Sequence, residues 1–310
     1  MDGKIFAGSS HREFAEKVAK KCGQKLGKIE IRKFSCGEIY LKFNESFRGQ
    51  KIFLVQTGRT EKMNEDLMEL FLMIDAARQS FAEKIHVLMP YFPYSRQDKI
   101  HGPREGISAK LFAKLLRTAG ADHMISLHFH SDQIQGFFDF PVDNLNSRKI
   151  FVEYFLKKNL QNLVVVSPDA GGAKSAKKFA DELNCEIAIL HKNRPSHNCA
   201  EILEIIGNVE NKTPIIFDDM IDTAGSVCAA KKILVEKGAR EKIFLCATHP
   251  IFSGRAREKL SAANFAEIVC TDSLPVADPP QNFRTLSIAD LFAKTIKNIA
   301  ENKSVSNLFF

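Results

Sequence analysis

The chain has 310 residues, 45% hydrophobic and 26% charged, with a formal net charge of +7. That is ample for buried cores and long for a single small one, so two domains are expected and a disordered chain is excluded. No apolar run nears the roughly 18 residues of a membrane helix, and no Lys/Arg stripe with interleaved aromatics marks a nucleic-acid surface. The opening MDGKIF leads straight into a strand-like run without the basic-then-apolar build of a signal peptide. A soluble, cytoplasmic protein is expected, with neither membrane nor nucleic acid as partner. The seven cysteines stand singly, which argues against a zinc site or disulfide framework and for reduced thiols.

Strand-like and helix-like runs alternate along the chain. Residues 52–56 read as a buried strand, and 64–80 as a helix with Leu67, Leu70, Phe71 and Ile74 at helical spacing. A strand at 84–90 precedes a helix at 107–119, where Leu111, Leu115 and Leu116 mark one face, and a strand at 123–129 follows. Asn144, Asn146 and Ser147 then break the periodicity, placing a domain boundary within 143–148. Beyond it come strands at 163–166 and 186–190 around a helix at 174–184. A strand at 214–217, a helix at 225–237 and strands at 242–247 and 267–270 complete the pattern. The alternation predicts an α/β protein with doubly wound, mainly parallel sheets, divided into domains at 1–145 and 146–310.

Residues 214–226 read PIIFDDMIDTAGS. An apolar strand ends in Asp218 and Asp219, and a loop of Asp222, Thr223, Ala224, Gly225 and Ser226 leads into a helix. Ligands sit at the carboxyl ends of parallel strands, and free N–H groups at a helix N-terminus cradle phosphate. Gly225 lets backbone approach that phosphate, and adjacent carboxylates suit the vicinal hydroxyls of a sugar. A plain N-cap role for Asp222 or Thr223 explains those residues but not two acids ending an apolar strand. The motif closely resembles the phosphoribosyl-diphosphate loop of the type I phosphoribosyltransferase fold.

Four more polar segments follow strand ends: FPYSRQDK at 92–99, HFHSDQIQGFF at 128–138, SPDAGGAK at 167–174 and LHKNR at 190–194. With 218–226 they resemble the ribose-phosphate pyrophosphokinase family, nearly end to end. That resemblance implies two similar domains of the type I phosphoribosyltransferase-like fold, the first on the ATP side and the second on the ribose-5-phosphate side. It implies ATP contacts at Phe34, Cys36, Gly37, Glu38, Arg96 and Gln97, with Arg96 stacked on adenine. It implies a magnesium-linked pair in His130 and Asp169, catalytic Lys192 and Arg194, and ribose-5-phosphate binding by Arg194, Asp218, Asp219 and 222–226. The reaction implied is attack of the sugar's C1 hydroxyl on the β-phosphorus of ATP, within a homohexamer. Arg48 and Arg104 resemble part of a regulatory site for inorganic phosphate.

The chain departs from the family at several points. Cys36 stands where the family has an acid or amide, His128 where it usually has Asp, Ser226 in place of Thr, and Pro103 where Ser is common. If the chain runs extended past residue 127, His128, His130 and Asp132 share a side, and Asp132 supplies the missing carboxylate. Two other readings share parts of the pattern: an inactive regulatory subunit, and a nucleobase phosphoribosyltransferase, which has no use for Arg96 and Gln97.

Overall fold

A computed structural model describes residues 3–193 and 202–308. The chain forms two compact units. One comprises Met1–Asn146, Ser273–Pro275 and Ser287–Phe310, and the other Ser147–Asp272 and Val276–Leu286.

In the first unit β1 (Lys4–Ala7) leads through α1 (Arg12–Cys22) to a hairpin of β2 (Ile29–Lys33) and β3 (Ile39–Phe43). Then come β4 (Lys51–Val55), α2 (Met63–Gln79), β5 (Lys84–Met89), α3 (Ser108–Ala119), β6 (His123–Leu127) and β7 (Val142–Leu145). The sheet order is β1-β4-β5-β6-β7, with every pairing parallel, and β2–β3 form a separate antiparallel ladder. Strands β4 and β5 are buried on both faces because helices cover both. Leu67, Leu70 and Ile74 of α2 pack in the core as their spacing implies.

On α3 the buried face is instead Ala109, Phe112, Ala113 and Leu116, while Leu111 and Leu115 are 59% and 41% exposed. The aromatic ring of Phe112 decides the rotation, since it packs against Phe71 and Phe92. The proposed boundary segment also differs from its reading. Residues 142–145 form β7, paired with β6 from Met124↔Val142 to Leu127↔Leu145, and the unit ends one residue later.

In the second unit α4 (Arg148–Leu156) precedes β8 (Leu163–Ser167), α5 (Ala173–Glu182), β9 (Glu186–Asn193) and β10 (Ile202–Ile206). Then follow β11 (Thr213–Ile221), α6 (Gly225–Glu236), β12 (Phe244–Pro250), α7 (Ala256–Ala263), β13 (Glu267–Thr271) and β14 (Phe283–Leu286). The strand order is β10-β9-β8-β11-β12-β13-β14, parallel except for β9–β10. Chain progression therefore reverses between β8 and β11, which makes that pair the switch point where a doubly wound sheet opens a crevice.

The last helix, α8 (Ala289–Ala300), returns to the first unit, so the second domain does not run unbroken from 146 to 310. Its buried face of Ala289, Phe292, Ala293 and Ile296 packs on α1, with the Phe292 and Phe14 rings 5.5 Å apart. No helix among the described residues is long and apolar enough to cross a membrane.

Candidate active site

The switch point gathers the acids. Strand β8 lies between β9 and β11, with Val166 opposite Ile216 and Ser167 opposite Ile189. At the carboxyl end of β8, Ser167 Oγ donates to the Asp169 carbonyl at 2.7 Å, and the Gly172 N–H donates to Asp169 Oδ1 at 2.9 Å. Asp169 thus closes the turn that enters α5, at whose N-cap Gly172 stands. Asp218 and Asp219 lie inside β11, which runs on to Ile221, further than its apolar residues imply. The Asp219 N–H donates to Asp218 Oδ1 at 2.8 Å.

Burial, then the charge of Asp219, then that of Asp169, hold the Asp218 carboxyl well above the ordinary carboxylate range. Three acids therefore share one electrostatic neighbourhood, and a cation there would relieve their repulsion. Their donors are hard oxygens, the set that magnesium prefers. Among the described residues no group of three or more His, Cys, Asp or Glu side chains is arranged to hold a metal by itself.

After β11 the chain turns through Asp222, Thr223 and Ala224 into α6. Ala224 is the N-cap, in the left-handed region at φ 60°, and makes no side-chain cap bond to the helix. The N-cap reading of Asp222 or Thr223 therefore fails, and the positive end of α6 stays open to an anion. A Cβ added at Gly225 would meet only Thr223 Oγ1, at 3.8 Å. The glycine thus leaves empty space in front of the helix. The first unit handles its own strand–helix turn differently: Glu69 accepts from the N–H and hydroxyl of Ser9 at 2.6 and 2.7 Å, filling the place of an anion.

Lys192 lies near the end of β9, opposite Leu203 of β10. Its strand borders the Asp169 turn on the side away from β11. Arg194 lies outside the described residues.

The nucleotide candidates all belong to the first unit. Phe34, Cys36, Gly37 and Glu38 form the β2–β3 turn, closed by Phe34 N–H to the Glu38 carbonyl at 2.8 Å and Gly37 N–H to the Phe34 carbonyl at 2.9 Å. Gly37 sits at φ 95°, which requires glycine. Phe34 is 46% exposed rather than core, and the Arg32 guanidinium spans it and Tyr40 at 5.6 and 4.4 Å. Arg96 is exposed, whereas Gln97 holds α3 through Ser108 Oγ at 2.6 Å. Both loops meet the first turn of α2: Lys33 pairs with Glu65 at 2.5 Å and Tyr94 donates to Asn64 at 2.5 Å. Sequence spacing carried no sign of that convergence.

His130 is exposed beyond β6 in the first unit, whereas Asp169 belongs to the second. The extended run of His128, His130 and Asp132 does not form. Strand β6 ends at Leu127, His128 takes φ 47°, and Asp132 opens a 3-10 turn (Asp132–Phe137). There β7 holds the turn: the His128 N–H bonds the Leu145 carbonyl at 2.8 Å and the Phe129 N–H bonds Asn144 Oδ1 at 3.0 Å. Of the two arginines read as phosphate ligands, Arg48 lies over the Phe81 ring at 4.2 Å, and Arg104 takes φ 69° in an exposed loop.

A strand carrying paired acids ahead of a phosphate-sized turn into a helix, at the switch point of a doubly wound sheet, marks a phosphoribosyltransferase-type α/β protein. The chain belongs to the ribose-phosphate pyrophosphokinase family. The model of the N-terminal domain of ribose phosphate pyrophosphokinase matches residues 3–120, and that of the phosphoribosyl synthetase-associated domain matches 196–310. The chain is 44% identical to a ribose-phosphate pyrophosphokinase of Fusobacterium nucleatum, covering 99% of this chain and 98% of that one. It is 45% identical to one of Bacillus subtilis, covering 99% and 96%. The crystal structure of phosphoribosylpyrophosphate synthetase from Mycobacterium smegmatis superposes with a TM-score of 0.92 at 40% identity, over 97% of this chain and 100% of that one.

Proposed function

We propose that the chain transfers the β,γ-diphosphate of ATP to the C1 hydroxyl of ribose 5-phosphate, giving 5-phosphoribosyl 1-diphosphate and AMP. The observation that carries this reading is the pairing of crowded acids with an open helix N-terminus on adjacent strands of one sheet. Asp218 and Asp219 accept hydrogen bonds from the ribose hydroxyls. Asp222, Thr223, Ala224, Gly225 and Ser226 hold the 5-phosphate against the start of α6. Phe34, Cys36, Gly37, Glu38, Arg96 and Gln97 take ATP, with flat contacts from Phe34 and Arg96 carrying the base, because the thiol of Cys36 is a weak acceptor.

The C1 oxygen forms a bond to the β-phosphorus while the bond from that phosphorus to the α-phosphate oxygen breaks. The hydroxyl proton passes to solvent, and AMP departs with the electron pair of the broken bond on its phosphate oxygen. Such a transfer needs positioning and charge neutralisation more than covalent catalysis. Lys192 and Arg194 meet the charge on the transferring group and leaving phosphate. Asp169, with His130 as its partner in the family pattern, would hold magnesium, which would supply positive charge to the ATP phosphates. Inorganic phosphate acting through Arg48 and Arg104, a homohexamer and a cytoplasmic location complete the reading.

Gly225→Val tests the sugar-phosphate site. A side chain here has room within the protein, so the fold survives while the cradle fills. Calorimetry is expected to show ribose 5-phosphate binding lost and ATP binding kept. Lost ATP binding with intact sugar-phosphate binding would reverse the assignment.

A further inference from the structure

The loop 222–226 does not hold its own shape. It lies beside the connection from β12 to α7, which bonds the loop at two points and the preceding Ile221 at a third. Phe252 N–H donates to the Ile221 carbonyl at 3.0 Å, Ser253 N–H donates to the Asp222 carbonyl at 3.1 Å, and Ser253 Oγ donates to Asp222 Oδ1. From the next turn of α7, Lys259 Nζ donates to the Thr223 carbonyl at 3.3 Å. The connection is itself strained. Phe252, a bulky residue only 1% exposed, takes φ 51°, with its ring 5.6 Å from that of Phe283. A left-handed phenylalanine is a costly conformation that persists only where surrounding contacts impose it. Here it turns the chain so that the next residue meets Asp222 through both backbone and side chain.

These bonds fix two peptide planes. In a trans peptide the carbonyl and the following N–H point in opposite directions, and the described chain holds no cis peptide. With the Asp222 carbonyl drawn to Ser253, the Thr223 N–H points away from the connection. With the Thr223 carbonyl drawn to Lys259, the Ala224 N–H points away from α7. Among the described residues neither N–H donates to another backbone group. Two donors ahead of the first turn of α6 are thus turned away from the connection and from α7.

We infer that Ser253 is a positioning residue for ribose 5-phosphate, aided by Lys259: together they aim the loop's N–H groups at the sugar phosphate without touching it. The inference rests on the reading of 222–226 as the sugar-phosphate loop. Its consequence is selective. Loosening the loop weakens the sugar phosphate and leaves ATP, whose base-contact candidates lie in the other unit, unaffected.

The test uses the full-length chain with Ser253→Ala, Ser253→Thr and Lys259→Met, read by calorimetry and by AMP release with each substrate varied. Ser253→Ala is expected to weaken ribose 5-phosphate, in Kd and KM, about tenfold or more, since it removes a hydrogen bond to a charged group. The ATP KM should stay within about twofold, and Ser253→Thr, which keeps the hydroxyl, should restore most of the loss. Lys259→Met should weaken ribose 5-phosphate in the same selective way, and it reads the inference even if Ser253→Ala fails to fold. Unchanged ribose 5-phosphate affinity, equal losses for both substrates, or no rescue by threonine would overturn the inference. An unsubstituted chain that binds ribose 5-phosphate but releases no AMP, with binding still lost in Ser253→Ala, would sink the reaction and leave the inference standing.

Discussion

Asp218 sits where the folded chain works against its own charge. Its carboxyl is raised by burial and by Asp219 and Asp169, so folding disfavours the ionised form that the unfolded chain adopts freely above the ordinary value of 3.8. A raised carboxyl contributes stability below the unfolded value and loses it as pH rises through the folded one. Asp218→Asn keeps an oxygen for the Asp219 N–H and removes the repulsion. Thermal unfolding without ligands should therefore show the variant more stable than the parent near pH 7, by about 2–4 °C for each kcal/mol regained. The gain should vanish below pH 3.8, while ribose 5-phosphate affinity falls at neutral pH. An unaltered melting temperature across the whole range would mean that the three acids do not interact. Lys192 carries a different expectation. A cation that meets charge developing in the transition state raises turnover rather than affinity, so Lys192→Ala should lower kcat on the order of a hundredfold. A comparable loss in substrate affinity with kcat intact would assign the lysine to binding instead.

Among the elements, β5, β6 and β7 carry a buried polar array unrelated to the candidate site. His86 Nδ1 lies 3.1 Å from His123 Nδ1, and His123 Nε2 lies 3.1 Å from Asp143 Oδ2. The His86 ring stacks on Phe53 at 4.7 Å, and its Nε2 is buried without a partner. Burial, with His123 and the more distant Lys51 and Lys84 acting against Asp122, lowers the His86 value from 6.5 to about 3. A depressed histidine stays neutral in the folded state while the unfolded chain takes up a proton below pH 6.5. The fold thus loses stability as pH falls through that range, by up to about 1.4 kcal/mol per pH unit. His86→Gln should flatten the acid limb between pH 6 and 4 in denaturant unfolding. An identical limb in parent and variant would remove His86 as its cause.

The elements also show what a sequence exposes and what it hides. The β11 strand, its acids and its loop are legible because apolar run, carboxylates and glycine lie within thirteen consecutive positions, 214–226. Strand β7 is hidden because Val142, Asp143, Asn144 and Leu145 look like a polar turn, and only pairing with β6 makes them a strand. The neighbourhood of Asp169 and Asp218 depends on β8 lying beside β11, forty-odd residues later in the chain. The Ser253 contact depends on a left-handed Phe252 that no local propensity announces. Helix α8 reads as an ordinary amphipathic helix, and its return to α1 is a packing choice made across the whole chain.

At the scale of the molecule, the family model matches and the near full-length likeness to ribose-phosphate pyrophosphokinases cover both units. What distinguishes a working synthetase from an inactive relative is whether the acids at β8 and β11, the open α6 and the nucleotide loops of the first unit act in one reaction. Cys36 in the β2–β3 turn and Ser226 at the start of α6, two departures within those elements, bear on that question directly. Release of AMP from ATP, followed with and without ribose 5-phosphate, magnesium and inorganic phosphate and with no nucleobase present, tests it most directly. The expected result is AMP formed in equal amount to 5-phosphoribosyl 1-diphosphate, dependent on both ribose 5-phosphate and magnesium. No ribose-5-phosphate-dependent AMP under any of these conditions, from a chain that still binds both substrates, would contradict it.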